Sequence, residues 1–239
     1  MGRAFEYRRA SKEKRWDKMS KLFPKLAKAI TMAAKEGGSD PESNSKLRLA
    51  IASAKSENMP KDNIKKAIDR ASGKDAANYT EVTYEAKGPH GVLLCIECAT
   101  DNTNRSITNV KTLVNKSGGK MMNSGDFDFM FTRKTVVQLA KTEGLDVEEL
   151  ELSLIDYGLE ELEEGDDALY CYAAYADFSN LTKGCEELSL EIMSAKLQRL
   201  PNNPVEFSEE QLEEIDQLID KLEDDEDVQS VFTNVDEGA

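Results

Sequence analysis

Near residue 79 the apolar residues of this chain stop recurring at helical spacing and begin to alternate, so a helical part must end there and a sheet begin. Before that point, Leu22, Leu26, Ile30 and Ala33 predict a helix with Ser20 as its cap and Pro24 in or near its first turn, stopped by Gly37-Gly38. SDPESNS is a loop. Leu47, Ala50, Ile51 and Ala54 mark a second helix. Pro60 opens a third, whose stripe of Ile64, Ala67, Ile68 and Ala71 is ended by Gly73. The stripes are short and rich in alanine, which predicts a thin core.

Beyond it, Val82, Tyr84 and Ala86 alternate, GPHG turns the chain, and VLLCIECA is apolar enough for a central strand. Ile107, Val110 and Val114 give a helix closed by Gly118-Gly119, and Phe127, Phe129 and Phe131 alternate again. That order is β-β-α-β. A new unit starts at TVVQLA, with a helix at Val147, Leu150 and Leu154, strands at GLEELEEG and ALYCYAAY around a Gly-Asp-Asp turn, a helix at Leu181, Cys185, Leu188 and Ile192, and a strand at AKLQRL. This is β-α-β-β-α-β, the ferredoxin-like order. The C-terminal stretch then holds a short strand near VEF, a helix with a Ser208/Gln211 capping box and a stripe at Leu212, Ile215, Leu218, Ile219 and Leu222, and a last strand, VQSVFTNV. One helix and one edge strand cannot make a core alone, so they complete the unfinished unit. The expected fold is multidomain α+β. It comprises a basic helical domain over residues 1–74, a discontinuous α/β domain over 75–134 and 204–239, and an inserted ferredoxin-like domain over 135–203.

Charge divides the chain at nearly the same place. The 239 residues hold 31 Lys/Arg and 46 Asp/Glu, a formal net charge of −15. Residues 1–74 have 19 of the basic and 9 of the acidic side chains, leaving 12 and 37 for residues 75–239. Such a split points to a basic part that meets a polyanion and an acidic part that stays away from it. The alternative is that basic helices are neutralised internally by acidic domains. Arg8, Arg9, Lys12, Lys14, Arg15, Lys18 and Lys21 fall within fourteen residues, interleaved with Trp16 and preceded by Tyr7. Phosphate binding needs such a density of cations, and the aromatics can stack on bases or anchor the arm. With only Phe5, Tyr7 and Trp16 to hold it, the arm is expected to order on binding.

Little else suggests chemistry. His90, the sole histidine, stands in the GPHG turn, where exposure is the ordinary state. Cys95-Ile-Glu-Cys98 lies within a predicted strand, not at the helix N-terminus that lowers a redox thiol's pKa, and zinc would need two further ligands. The carboxylate-rich stretches 146–167 and 206–227 sit between apolar stripe positions, as a solvated face does. Phosphate-cradling glycine loops, nucleophile elbows and zinc-protease motifs are missing. No apolar run approaches the roughly 20 residues of a bilayer span, and no signal-peptide core opens the chain. The expectation is a cytoplasmic protein with no enzymatic activity, no cofactor, no metal, no membrane partner and no small-molecule substrate, monomeric rather than oligomeric.

The segment GGSDPESNSKLRLAIASAKSENMPKDNIKKAID resembles the N-terminal signature of the YebC family, and ECATDNTNRSITNVK and SGDFDFMFTRK resemble its middle-domain signatures. The resemblance runs from residue 2 to near the C-terminus, and the spacing of the blocks fits too. The commonest family start is Gly-His-Ser-Lys-Trp; Gly2-Arg3-Ala4-Phe5-Glu6 resembles a second branch. The resemblance implies a helical head with two α/β domains, one inserted in the other, and a non-enzymatic role in gene expression. Bacterial members are usually classed as DNA-binding transcriptional regulators, whereas mitochondrial relatives are translational activators and some bacterial members look like ribosome-associated translation factors. DNA, or ribosomal RNA on the ribosome, is therefore the implied partner. A match from residue 2 leaves no room for a transit peptide, which favours a bacterial cytoplasmic protein. Carried over position by position, the implied binding residues are Lys46, Arg48, Lys55 and Lys61 in the head and Asp101, Asn102, Asn104 and Arg105 after the middle strand. From the residues alone, Asp101 or Asn104 serves equally well as the cap of the helix that begins there.

Overall fold

The structure is a computed structural model that describes residues 19–73, 78–142, 144–165 and 168–236, apart from the side chains of residues 19–21, 45 and 56. Among the described residues there are seven α-helices and two antiparallel four-stranded sheets. In chain order the elements are α1 (Met19–Gly37), α2 (Ser45–Ser56), α3 (Lys61–Ala71), β1 (Thr80–Lys87), β2 (Leu93–Thr100), α4 (Thr103–Lys116) and β3 (Lys120–Met121). They continue with β4 (Phe131–Ala140), α5 (Val147–Ile155), β5 (Leu159–Glu164), β6 (Ala168–Ala174), α6 (Phe178–Glu187), β7 (Ile192–Pro201), α7 (Glu209–Glu223) and β8 (Val228–Thr233). By compactness the chain divides into two units, one of Met1–Ala29, Lys74–Thr132 and Leu200–Ala239, the other of Ile30–Gly73 and Arg133–Arg199.

In the first unit the sheet order is β3-β1-β2-β8. Alternation splits β1 and β2 cleanly between two faces. Tyr84, Ala86, Leu94, Ile96 and Cys98 face Val110 and Val114 of α4 and Leu212, Ile215, Leu218, Ile219 and Leu222 of α7. Leu93 and Cys95 point the other way, into a smaller cluster with Phe127, Phe131 and the half-buried Phe232. Cys95 and Cys98 therefore lie on opposite faces, and both are buried because both faces are covered. The α7 capping box forms as expected, with Ser208 Oγ accepting from Gln211 N–H and Gln211 Oε1 accepting from Ser208 N–H.

Three expectations shift here. Ser20 lies inside α1, not at its cap, and Pro24 is likewise interior. Phe127 and Phe129 lie in no strand: residues 124–130 are successive turns, Phe131 only opens β4, and the third strand of the first unit's sheet is the two-residue β3. The cause is long-range. Buried Glu85 accepts the amides of Gly125 (2.9 Å) and Phe127 (2.8 Å), and Gly125 supplies the φ of +92° that this path requires. VEF contributes only an isolated parallel bridge, Val205 to Val235.

In the second unit the sheet order is β5-β6-β4-β7, that of a ferredoxin-like β-α-β-β-α-β unit. Its core joins Val137, Leu139, Leu169 and Cys171 of the sheet to Leu150 and Leu154 of α5 and Leu181 and Cys185 of α6. α6 ends at Glu187, so Leu188 is exposed and Ile192 belongs to β7. Gly184 lets α6 approach closely, since a Cβ there would stand 2.4 Å from the Tyr157 ring. Leu49 of α2 packs against this core, and Ser53 Oγ donates to Ala195 O at 3.4 Å. The thin helical core thus gains support from the sheet. Asn44 caps α2, accepting from Leu47 N–H, while its Nδ2 ties down the carbonyls of Ala33 and Gly38. Between α2 and α3, Asn58 adopts φ +58° and the amides of Asn58 and Met59 return to Lys55 O and Ala54 O, a Schellman stop with Met59 buried behind it.

Candidate nucleic-acid interface

Bonding partners separate the cations of the basic segment, together with Arg105, into two sets. The first is consumed inside the first unit. Lys25 Nζ donates to Glu223 O at 2.6 Å at the C-terminal end of α7, where free carbonyls favour a cation. Burial holds the Lys25 ammonium below its ordinary pKa, against the upward pull of Glu223, Asp225 and Asp224. Lys28 Nζ donates to Ala99 O (3.0 Å) and Glu226 O (2.8 Å), lies 3.6 Å from Asp227 Oδ1, and sits 4.9 Å from the centroid of the Tyr79 ring. Arg105, in the first turn of α4, donates from Nε and Nη2 to Asp227 (3.1 and 2.9 Å) and from Nη2 to Asp101 Oδ1 (2.8 Å). Those bonds, Asp227 first, raise its pKa further. Asp227 is only 2% exposed, so the residue that holds Arg105 is itself part of the core boundary.

The expected group after β2 is thus brought together, and its members have separate tasks. Asn102, not Asp101 or Asn104, caps α4, its side chain accepting from Arg105 N–H at 3.1 Å. Asp101 orients the guanidinium. Asn104 is exposed, and its carbonyl accepts from Thr108 Oγ1.

The second set is exposed, in the second unit. Arg48 donates to the carbonyls of Pro41 and Glu42, fixing the loop before α2, and Lys46 pairs with Glu36 at 2.7 Å on open surface. Lys55 near the end of α2 and Lys61, Lys65, Lys66 and Arg70 along α3 are exposed, and among the described residues none of these five is in an ion pair. Lys61/Lys65 and Lys66/Arg70 are i,i+4 like-charge pairs, a spacing that costs helix stability; Asp62 and Asp69 are the only acids on α3. Sequence reasoning points to Lys55 and Lys61 and misses Lys65, Lys66 and Arg70, although the repeated i,i+4 spacing is there to read. Arg8, Arg9, Lys12, Lys14, Arg15 and Lys18 lie outside the described residues, as does the side chain of Lys21.

The remaining reactive groups are occupied or buried. His90 takes φ +57° in the tight turn before β2, with Nε2 3.0 Å from Glu214 Oε2. Burial pushes the thiols of Cys98 and Cys171 up to about 12 and that of Cys185 to about 11, so they are not nucleophiles at neutral pH. Among the described residues no group of three or more His, Cys, Asp or Glu could hold a metal ion, and no helix is long and apolar enough to cross a membrane.

Comparison with known proteins adds relatives. Residues 3–74 match the family model of the TACO1/YebC protein N-terminal domain, and residues 79–235 match that of the TACO1/YebC second and third domain. A protein of Wolinella succinogenes named "Probable transcriptional regulatory protein" is 62% identical over 236 residues, 98% of this chain and 100% of its own length. One of the same name from Campylobacter concisus is 58% identical, over 98% and 100%. Among solved structures, a conserved hypothetical protein from Aquifex aeolicus superposes with a TM-score of 0.79 at 32% identity, over 91% of this chain and 90% of that one.

Proposed function

The chain belongs to the TACO1/YebC family, and from that premise we propose that it is a non-enzymatic regulator of gene expression that binds nucleic acid, DNA first, through its basic N-terminal helices. The observation that carries this reading is the sorting of cations. Lys25, Lys28 and Arg105 are spent on Asp227 and its neighbours, whereas Lys55, Lys61, Lys65, Lys66 and Arg70 face solvent and, among the described residues, no acid pairs with them. Exposed, unpaired cations on one helical pair suit phosphate contacts. The name shared by the relatives supports transcription as the process. On charge alone we assign phosphate contacts to the basic residues 8–21 as well, and Lys46 and Arg48 of α2 join the exposed set; Arg105, half exposed, is engaged by Asp227 and Asp101.

Lysines outnumber arginines 13 to 6 in residues 1–74, so the interface offers point charges more than bidentate base readers. Binding should be steeply salt-dependent and weakly sequence-specific. The test is duplex binding by the full chain and by a K55E/K61E/K65E/K66E variant across a salt series. Each lost phosphate contact should flatten the log–log salt slope by about 0.9. An unchanged slope would sink the interface. In cells, crosslinking with sequencing of both DNA and RNA decides the process: recovery across the genome supports the DNA reading, and dominant recovery of ribosomal RNA makes the protein a translation factor instead.

A further inference from the structure

The sheet face that carries Leu93 and Cys95 also carries an arrangement that duplex binding does not use. Phe129 is 89% exposed. It is not on a loose loop. Glu85 holds the amides of Gly125 and Phe127, and Asn123 donates to Asp126 Oδ2. Asn202 clamps the far side, donating from Nδ2 to Phe129 O and from its backbone N–H to Met130 O, both at 2.9 Å. Phe127 and Phe131 on either side are buried at 5% and 6%. The backbone is therefore fixed while the ring stands in water.

Two lysines share this face. Lys87 lies two residues beyond Glu85 on β1 and so points to the same side, and the register places it directly opposite Lys120 of β3. Like charges directly opposed on an antiparallel ladder repel. Both are exposed, and among the described residues neither is in an ion pair. An exposed ring and an opposed lysine pair each break a local rule of stable folds, and such breaches concentrate at functional sites. Of the nearby carboxylates, Glu85 is spent on two amides and Asp126 on Asn123. Asp126 and Asp128 are both exposed, and among the described residues Asp128 is in no ion pair.

We propose that this face binds an unpaired stretch of nucleic acid, with one base stacked on the Phe129 ring and a backbone phosphate between Lys87 and Lys120. Every base presents a π-face, so the contact tolerates sequence; it needs a base free of its own stack, so it selects single strands, loops or bulges over duplex. A basic protein with an apolar pocket would suit Asp128 but would be repelled by the two lysines. The inference rests on the nucleic-acid reading above and adds the class of target.

The experiment measures fluorescence anisotropy of the full chain on a labelled 16-nucleotide oligo-dT and on a 16-base-pair duplex. Phe129→Ala should weaken oligo-dT binding about 5- to 150-fold, the span expected for losing one stacked base, and leave the duplex unchanged. Phe129→Trp should retain single-strand affinity, whereas Phe129→Leu, apolar but not aromatic, should not. K87A/K120A should flatten the single-strand salt slope by about 0.7, the share of the one phosphate the pair holds. Lys120→Glu should weaken oligo-dT binding while raising the melting temperature, because it replaces repulsion with attraction. Wild-type single-strand affinity in Phe129→Ala or Phe129→Leu overturns the proposal, as does a photo-crosslinker at position 129 that captures a protein in place of a polynucleotide. If the wild type binds neither probe, the nucleic-acid reading itself fails. If it binds both and Phe129→Ala changes nothing, only the present inference does.

Discussion

Glu85→Gln is the most informative single substitution in this fold, because it separates the turn that presents Phe129 from the sheet beneath it. Glu85 is 6% exposed, and its two oxygens accept amides at 2.9 and 2.8 Å from Gly125 and Phe127. Glutamine keeps one acceptor and turns an NH2 toward the other amide, so one charged hydrogen bond becomes neutral and the other becomes a donor–donor clash. Hydrogen bonds to a charged group contribute about 1.5–3 kcal/mol and neutral ones about 1, so the expected loss is about 2–4 kcal/mol. Unfolding entropy of about 2.1 cal/mol/K per residue gives roughly 0.5 kcal/mol/K for this chain, and the melting temperature should fall about 4–8 °C. The fall should be about twice that if the unit carrying the turn melts separately. Hydrogen exchange provides the local readout: if the turn opens on its own, the Gly125 and Phe127 amides should exchange at least about 30-fold faster, which is 2 kcal/mol in rate terms. Unchanged protection with a melting temperature within about 1 °C of wild type would refute the account of why these residues form no strand. The variant should also share the single-strand defect of Phe129→Ala, since the ring loses its mount.

The ion pairs and the Tyr157 bond give two further outcomes. Asp227→Ala should cost about 2–4 kcal/mol in chemical denaturation, because the carboxylate is 3% exposed and leaves Lys28, at 12%, without its charge partner; Arg105→Ala should cost less, since that side chain is 48% exposed and water replaces its bonds. Equal losses would show that Asp227 is held for Arg105 alone. Tyr157 Oη donates to Glu187 at 2.6 Å, and this bond, ahead of Lys183, holds the Glu187 carboxyl below the usual range. A depressed carboxyl stabilises the fold above its unfolded value of about 4.3 and stops doing so as pH falls through the folded one. The stability gap between wild type and Tyr157→Phe should therefore be open at pH 7 and close below about pH 4; a gap that persists to pH 3 would assign it to packing.

The sequence is legible where the signal is local and opaque where distant groups decide. The change of period at residue 79, the glycine stop at Gly37-Gly38, the Ser208/Gln211 box and the ferredoxin-like order all rest on neighbours within a few residues. The Phe127–Phe129–Phe131 alternation misleads because a carboxylate about 40 residues away overrides it, and β3 is too short to carry a pattern. Leu188 and Ile192 continue a helical period past the point where the helix stops. The candidate site divides along the same line. Charge counts identify a basic head, but counting cannot tell that Lys25 and Lys28 are consumed while Lys61 and Lys65 are not; that depends on where residues 223–227 arrive in space.

The same sorting changes how the electrostatic division of labour has to be tested. Internal neutralisation and polyanion binding are alternatives on the sequence alone, yet the described cations divide between them. The acidic stretch 223–227 takes in Lys25, Lys28 and Arg105, so it acts partly as an anchor for the basic segment and not only as a repellent. The exposed cations of α2 and α3 belong to a unit whose core includes Leu49, packed on the ferredoxin-like sheet and linked further by Ser53 to Ala195 and Lys196 to Glu57 (3.7 Å). A fragment ending at residue 74 would uncover Leu49 and leave Lys25 and Lys28 without their carbonyl and carboxylate partners. Its added affinity for a polyanion would then come from cations that the intact protein never offers. Charge reversal within the full chain keeps those partners in place, and only that comparison weighs the free lysines against the acidic body.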